Sequence, residues 1–77
     1  MVKAGIDVGA LSIKVVLLGN REKILGYSII PTKPGVSELV QFAFDQALES
    51  AHLSKGDVAY VVSTGYGRRQ VPFANME

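Results

Sequence analysis

The apolar residues of this chain change their period once, near Gly35, and that change dictates the order of elements the chain can form. Before it, the pattern belongs to strands. Val2 to Val8 is β-branched and apolar at alternate places, with Ile6 and Val8 on one face, and it ends at Gly9, where the backbone can turn freely. Ser12 to Leu18 is a second run, closed by the turn-forming residues Gly19-Asn20-Arg21-Glu22. Lys23 to Ile30 is a third, stopped by Pro31 and Pro34, which cannot continue a ladder. Beyond Gly35 the residues Val36, Leu39, Val40, Ala43, Ala47, Leu48 and Ala51 recur at three- and four-residue spacing, which lines them up on one stripe of a helix. That helix is expected to reach about Leu53, with Glu38 in its first turn, His52 in its last and Gly56 ending it. Val58 to Val62 is a final β-branched run. After the turn Ser63-Thr64-Gly65-Tyr66-Gly67 the pattern weakens through residues 68–77.

Strand, strand, strand, helix, strand predicts an α/β sheet in which three antiparallel strands zigzag and a fourth returns through a helical crossover to lie parallel to the first. This is the opening half of a ribonuclease-H-like domain. Further helices would be needed to cover both faces of such a sheet, so the 77 residues are expected to be an incomplete, truncated unit, residues 1–77 forming one N-terminal part.

Composition removes several function classes. An apolar content of 48% with 19% charge is that of a folded, water-soluble chain. Eight Lys and Arg against seven Asp and Glu leave a net charge of +1, too weak a field to attract a nucleic-acid backbone. With no cysteine, the segment has no disulfide, no thiolate metal site and no iron–sulfur ligand. No apolar run approaches the roughly 20 residues that span a bilayer, and Met1-Val2-Lys3 leads straight into a strand pattern rather than a signal sequence. No membrane association and a cytoplasmic location are the expectation.

The chemistry lies in the first hairpin. Asp7 precedes the turn at Gly9, and Ser12 and Lys14 follow on the returning strand. Amides near Gly9, including those of Ala10 and Leu11, can face phosphate oxygens because no Cβ blocks the approach. Asp7 would hold Mg²⁺ through water, the usual mode for a cation that dehydrates reluctantly. Ser12 can donate its hydroxyl to a phosphate, and Lys14 can neutralise charge on the transferring group. Against this, Asp and Gly are ordinary hairpin residues, and Asp-x-Gly at a strand end is more often structural than catalytic. Neither the Gly-x-Gly-x-x-Gly of dinucleotide sites nor the Walker Gly-Lys-Ser/Thr is present.

The string Ala4-Gly5-Ile6-Asp7-Val8-Gly9, followed by Ser12 and Lys14, resembles the phosphate-1 hairpin of the acetate kinase, hexokinase, heat-shock-70 and actin superfamily. A second string, Val61-Val62-Ser63-Thr64-Gly65-Tyr66-Gly67-Arg68 with Pro72-Phe73-Ala74 after it, is similar to a narrower branch. This is the BadF/BadG/BcrA/BcrD-type ATPases: activators of 2-hydroxyacyl-CoA dehydratases and ATP-hydrolysing subunits of benzoyl-CoA reductase. The resemblance implies an actin-like ATPase fold, ATP and Mg²⁺ as ligands, and catalytic roles for Asp7 and Lys14. It also implies nucleotide contacts from Gly9, Ala10, Leu11, Ser12, Gly65 and Tyr66.

In that family ATP hydrolysis drives a low-potential electron from a [4Fe–4S] cluster, held between two ATPase subunits, to a partner acting on a CoA thioester. The cluster cysteines lie downstream of the second string, so the cluster would belong to a longer parent and the 77 residues alone would not turn over. One departure is visible: family members place Ser directly after the hairpin glycine, where this chain has Ala10.

Two other readings compete. One is a sugar or metabolite kinase of the same superfamily, which the second string disfavours. The other is a non-enzymatic module associating through sheet edges, as a homo-oligomer or strand-swapped dimer. Arg68 is open to a nucleotide or partner contact or to plain solvation, and His52 is a surface residue. One of Phe42 and Phe44 is expected to be exposed, and Tyr27 and Tyr60 to pack on the sheet.

Overall fold

The computed structural model describes residues 1–76. Strands β1 (Val2–Val8), β2 (Ser12–Leu18), β3 (Ile24–Pro31) and β4 (Val58–Thr64) form one sheet in the order β3-β2-β1-β4, with helix α1 (Val36–Ser50) between β3 and β4. β1–β2 and β2–β3 are antiparallel and β1–β4 is parallel, the arrangement that the change of period predicts.

The helix covers one face only. Ala4, Ile6 and Val8 of β1 and Ile13, Val15 and Leu17 of β2 are buried beneath Val40, Ala43, Phe44, Ala47 and Leu48. α1 lies so close to β3 that a Cβ on Gly26 would sit 2.6 Å from Ser50 Oγ and 2.9 Å from the Ala47 carbonyl. Two residues along β3, the buried Ser28 donates its hydroxyl to the Ala43 carbonyl at 2.6 Å. That tie fixes the helix to the strand. Ser28→Ala is expected to cost about 1 kcal/mol in urea unfolding, one neutral hydrogen bond; an unchanged midpoint would show that apolar packing alone seats the helix.

Three boundaries differ from the sequence expectation. α1 stops at Ser50 rather than near Leu53, because His52 takes a left-handed φ of 57° and the chain reverses there. The Leu53 amide donates to the Leu48 carbonyl and the His52 amide to that of Glu49, a Schellman closure in the position glycine usually fills. His52 therefore lies beyond the last turn, and Gly56 sits in a separate short turn, Lys55–Asp57. β3 extends to Pro31, tolerated as the last residue of an edge strand. β4 continues through Ser63 and Thr64, which pair with Ile6 and Asp7 instead of turning.

The opposite face of the sheet is bare. Tyr27 (64% exposed) and Ile29 stand on it beside Tyr60 and Val62, so the tyrosines lie on the sheet but on its uncovered side. Phe42 is exposed, while Phe44 stacks on Phe73 with ring centroids 4.9 Å apart. The weakly patterned end is ordered by pairing: Asn75 and Met76 run alongside β4, the Ser63 amide donating to the Met76 carbonyl and the Asn75 amide to that of Val61. No helix among the described residues is long and apolar enough to cross a membrane.

Candidate functional site

Alternation along the strands decides which side chains meet. Ile6 and Val8 point to the helix, so Asp7 between them points to the bare face, and the β1–β2 register sets Lys14 directly across from it. Lys14 is exposed and Asp7 half-buried. The acid and the amine thus share one face, yet no ion pair closes between them among the described residues. On the other flank of Asp7, parallel pairing brings up Thr64, an exposed residue of the same face. Thr64, Asp7 and Lys14 form a row across three adjacent strands and, with Gly5, Val16, Tyr27, Ile29 and Val62, line a shallow hollow of about 400 Å³.

The turn joining β1 and β2 completes one side. The Gly9 amide donates to the Ser12 carbonyl at 2.9 Å, and a Cβ on Gly9 would meet that oxygen at 3.1 Å, so a glycine keeps the turn tight. Ala10 and Leu11 at its tip are exposed, and their amides donate to no group among the described residues. The Ser12 side chain, half-buried at the start of β2, stands between this tip and Lys14.

The segment leaving β4 wraps the end of β1. Gly65 has a φ of +92°, and a Cβ there would lie 2.5 Å from Asp7 Oδ1 and 2.6 Å from the Val8 carbonyl. The Gly67 amide donates to that same carbonyl at 2.9 Å. Both glycines are thus explained by close approach to β1. Tyr66 between them projects into solvent, 91% exposed. Arg68 bends back, its Nη1 donating to the Gly65 carbonyl at 3.1 Å, while its own carbonyl accepts from the buried Ser63 hydroxyl at 2.8 Å. Its guanidinium braces the loop.

Of the residues singled out in the sequence, Asp7, Lys14, Gly9, Ala10, Leu11, Ser12 and Gly65 gather at one end of the sheet, with Tyr66 at the margin. Two neighbours were not anticipated. Thr64 becomes visible only through the β1–β4 register. Thr32, just past β3, donates its hydroxyl to the Gly9 carbonyl at 2.8 Å and its amide to the Leu11 carbonyl at 3.0 Å, and nothing in the local sequence marks it.

The donor set suits a hydrated Mg²⁺ with a polyphosphate. No group of three or more His, Cys, Asp or Glu gathers to cage a metal among the described residues. One accessible carboxylate, a cation and unengaged amides are what Mg²⁺ with phosphate oxygens requires. The residues do not suit an iron–sulfur cluster, because the chain has no cysteine.

Comparison with known proteins extends the picture. The model of the BadF/BadG/BcrA/BcrD ATPase family matches residues 4–76. An activator of lactoyl-CoA dehydratase from Anaerotignum propionicum is 41% identical over 68 residues, covering 88% of this chain and 26% of that protein. Component A of the (R)-2-hydroxyglutaryl-CoA dehydratase of Acidaminococcus fermentans superposes with a TM-score of 0.88 at 31% identity, over 99% of this chain and 29% of that one. The activator of 2-hydroxyisocaproyl-CoA dehydratase from Clostridium difficile, solved with bound ADPNP, gives 0.87 at 29% identity, over 99% and 28%. The chain spans about a quarter of the length of the curated relatives it matches.

Proposed function

The chain belongs to the BadF/BadG/BcrA/BcrD ATPase family, and from that membership we propose that it is the N-terminal, phosphate-binding part of an ATPase that activates a CoA-thioester dehydratase. The observation that carries the proposal is the Asp7–Lys14 pair: cross-strand neighbours on the uncovered face, not neutralised by each other, beside a turn with unengaged amides. The relative from Clostridium difficile was solved with a nucleotide analogue, which supports ATP as the ligand.

In this reading Asp7 holds Mg²⁺ through bound water, and the ion when present draws charge from the phosphate oxygens. The Ala10 and Leu11 amides and the Ser12 hydroxyl donate to phosphate oxygens, and Lys14 places positive charge where negative charge gathers as the terminal phosphoryl leaves. Ala10 contributes its amide and no hydroxyl. Gly65 brings backbone against the Asp7 carboxylate and Tyr66 borders the opening. Hydrolysis in the longer protein would drive a low-potential electron, through a [4Fe–4S] cluster bound by cysteines outside these residues and shared with a second ATPase subunit, to the partner enzyme. A hydroxyacyl-CoA dehydratase is favoured over benzoyl-CoA reductase as that partner, because the named relatives are dehydratase activators.

Titrating this chain with Mg·ATP and following backbone amide resonances tests the site. Saturable shifts are expected at Asp7, Gly9 to Ser12, Lys14 and Gly65, with a Kd of roughly millimolar order, since a shallow site leaves much of the ligand in water. Omitting Mg²⁺ should weaken them. Shifts that leave Asp7, the Gly9 turn and Lys14 unmoved, or none at all, would sink the assignment.

A second reading rests on the sheet edges. Asn75 and Met76 occupy the middle of the outer edge of β4. β3 is the other edge, and Ile24–Pro31 has no charged residue to discourage pairing. Self-association, if it accompanies the nucleotide function, runs through β3.

A further inference from the structure

We propose that Thr32 is a positioning residue of the phosphate site, and that it acts by turning the peptide between Gly9 and Ala10 so that the Ala10 amide faces the ligand. The inference rests on the nucleotide reading above and assigns a role to a residue that contacts no phosphate itself.

A trans peptide is planar, with its carbonyl and its N–H pointing in opposite directions. The Thr32 hydroxyl donates to the Gly9 carbonyl at 2.8 Å, so the N–H of that peptide, which belongs to Ala10, must point away from Thr32. Thr32 lies one residue past the end of β3 and is half-buried, beside the turn rather than over its tip. The Gly9 carbonyl is held on the Thr32 side of the turn and the Ala10 N–H on the opposite side, where a phosphate would meet it.

The same residue makes a second tie. Its amide donates to the Leu11 carbonyl at 3.0 Å, so the Ser12 N–H of that peptide points back toward β1. Thr32 follows directly on Pro31, whose ring restricts φ and whose Cα pairs with Ser12, so the tether leaves the sheet in a defined direction. Without these ties the exposed tip, Ala10 and Leu11, has no other hydrogen bond among the described residues to hold its peptides in one orientation. Orienting donors before the ligand arrives removes an ordering cost from binding. Ala10 supplies no side-chain hydroxyl, so the direction of its amide decides what that position offers.

The test uses the whole chain, with Thr32→Val and Thr32→Ser. Valine keeps the branched shape and the backbone tie to Leu11 but loses the hydroxyl; serine keeps the hydroxyl. With Mg·ATP as the probe, Thr32→Val is expected to raise Kd about 3- to 10-fold, the equilibrium worth of one neutral hydrogen bond, and Thr32→Ser to stay within about twofold of the wild type. Without nucleotide, ¹⁵N relaxation should show the Ala10 amide losing order in Thr32→Val and not in Thr32→Ser. If Thr32→Val does not fold, Thr32→Ala makes the same comparison. A Thr32→Val chain that binds Mg·ATP as tightly as the wild type overturns the proposal, as does an Ala10 amide equally ordered in all three. Loosening of the Ala10 amide in a protein whose wild type ignores Mg·ATP would separate the two readings: the tether would stand and the nucleotide function would fall.

Discussion

In the full-length protein, Asp7→Ala is expected to abolish Mg²⁺-dependent ATP hydrolysis, lowering kcat by about a thousandfold or more, roughly 4 kcal/mol of transition-state stabilisation. The fold should not notice. Asp7 makes no hydrogen bond or ion pair among the described residues, and its side chain points away from the helix, so the change in unfolding free energy should stay within about 0.5 kcal/mol. Asp7→Asn retains shape and polarity while removing charge, and it should lose hydrolysis nearly as fully. Turnover by either variant within a few-fold of the wild type would refute the metal-holding role.

The second large effect is expected at Gly65. An added Cβ would fall 2.5 Å from the Asp7 carboxylate and 2.6 Å from the Val8 carbonyl, on a backbone whose φ of +92° already disfavours any side chain. The Val8 carbonyl also accepts from the Gly67 amide, so it cannot retreat without breaking that bond. Overpacking and backbone strain together should cost roughly 2–5 kcal/mol in Gly65→Ala. A domain of this size has roughly 4–12 kcal/mol in total, so the melting temperature should fall by about 10 °C or more. Because the clash falls on Asp7 itself, the surviving folded fraction should also need more Mg²⁺ to bind nucleotide. If Gly65→Ala melted with the wild type, the β4 exit loop would have to be free to swing away, and its packing against Asp7 would carry no weight.

Much of this arrangement was readable from residue order. The single change of period near Gly35 defined the five elements, and alternation in β1 assigned Ile6 and Val8 to one side, whereas the nearly continuous apolar run of β2 left the sides of Ile13 and Val15 to the structure. The tight turn at Gly9 then required Asp7 and Lys14 to be neighbours. What escaped the sequence depends on partners distant along the chain. Thr64 acquires its place only from the register of β4 against β1, which local patterning does not specify. Thr32 looks like any polar residue between two prolines until its hydroxyl is seen on Gly9. His52 ends the helix with a backbone geometry that a β-carbon usually discourages, so residue type alone points past it to Gly56.

The parallel contact of β1 with β4 also bears on how the molecule is made. β1, β2 and β3 can zip together through short reversals, whereas β4 must wait for a long excursion through α1 before it finds β1, and closing such a loop is slow. The carboxylate is therefore in place early, while the glycine that presses on it arrives late. Assembly of the cleft is expected to be the final event on the folding route and its rupture among the earliest on the way out, so occupancy by a nucleotide would report that the chain had finished folding.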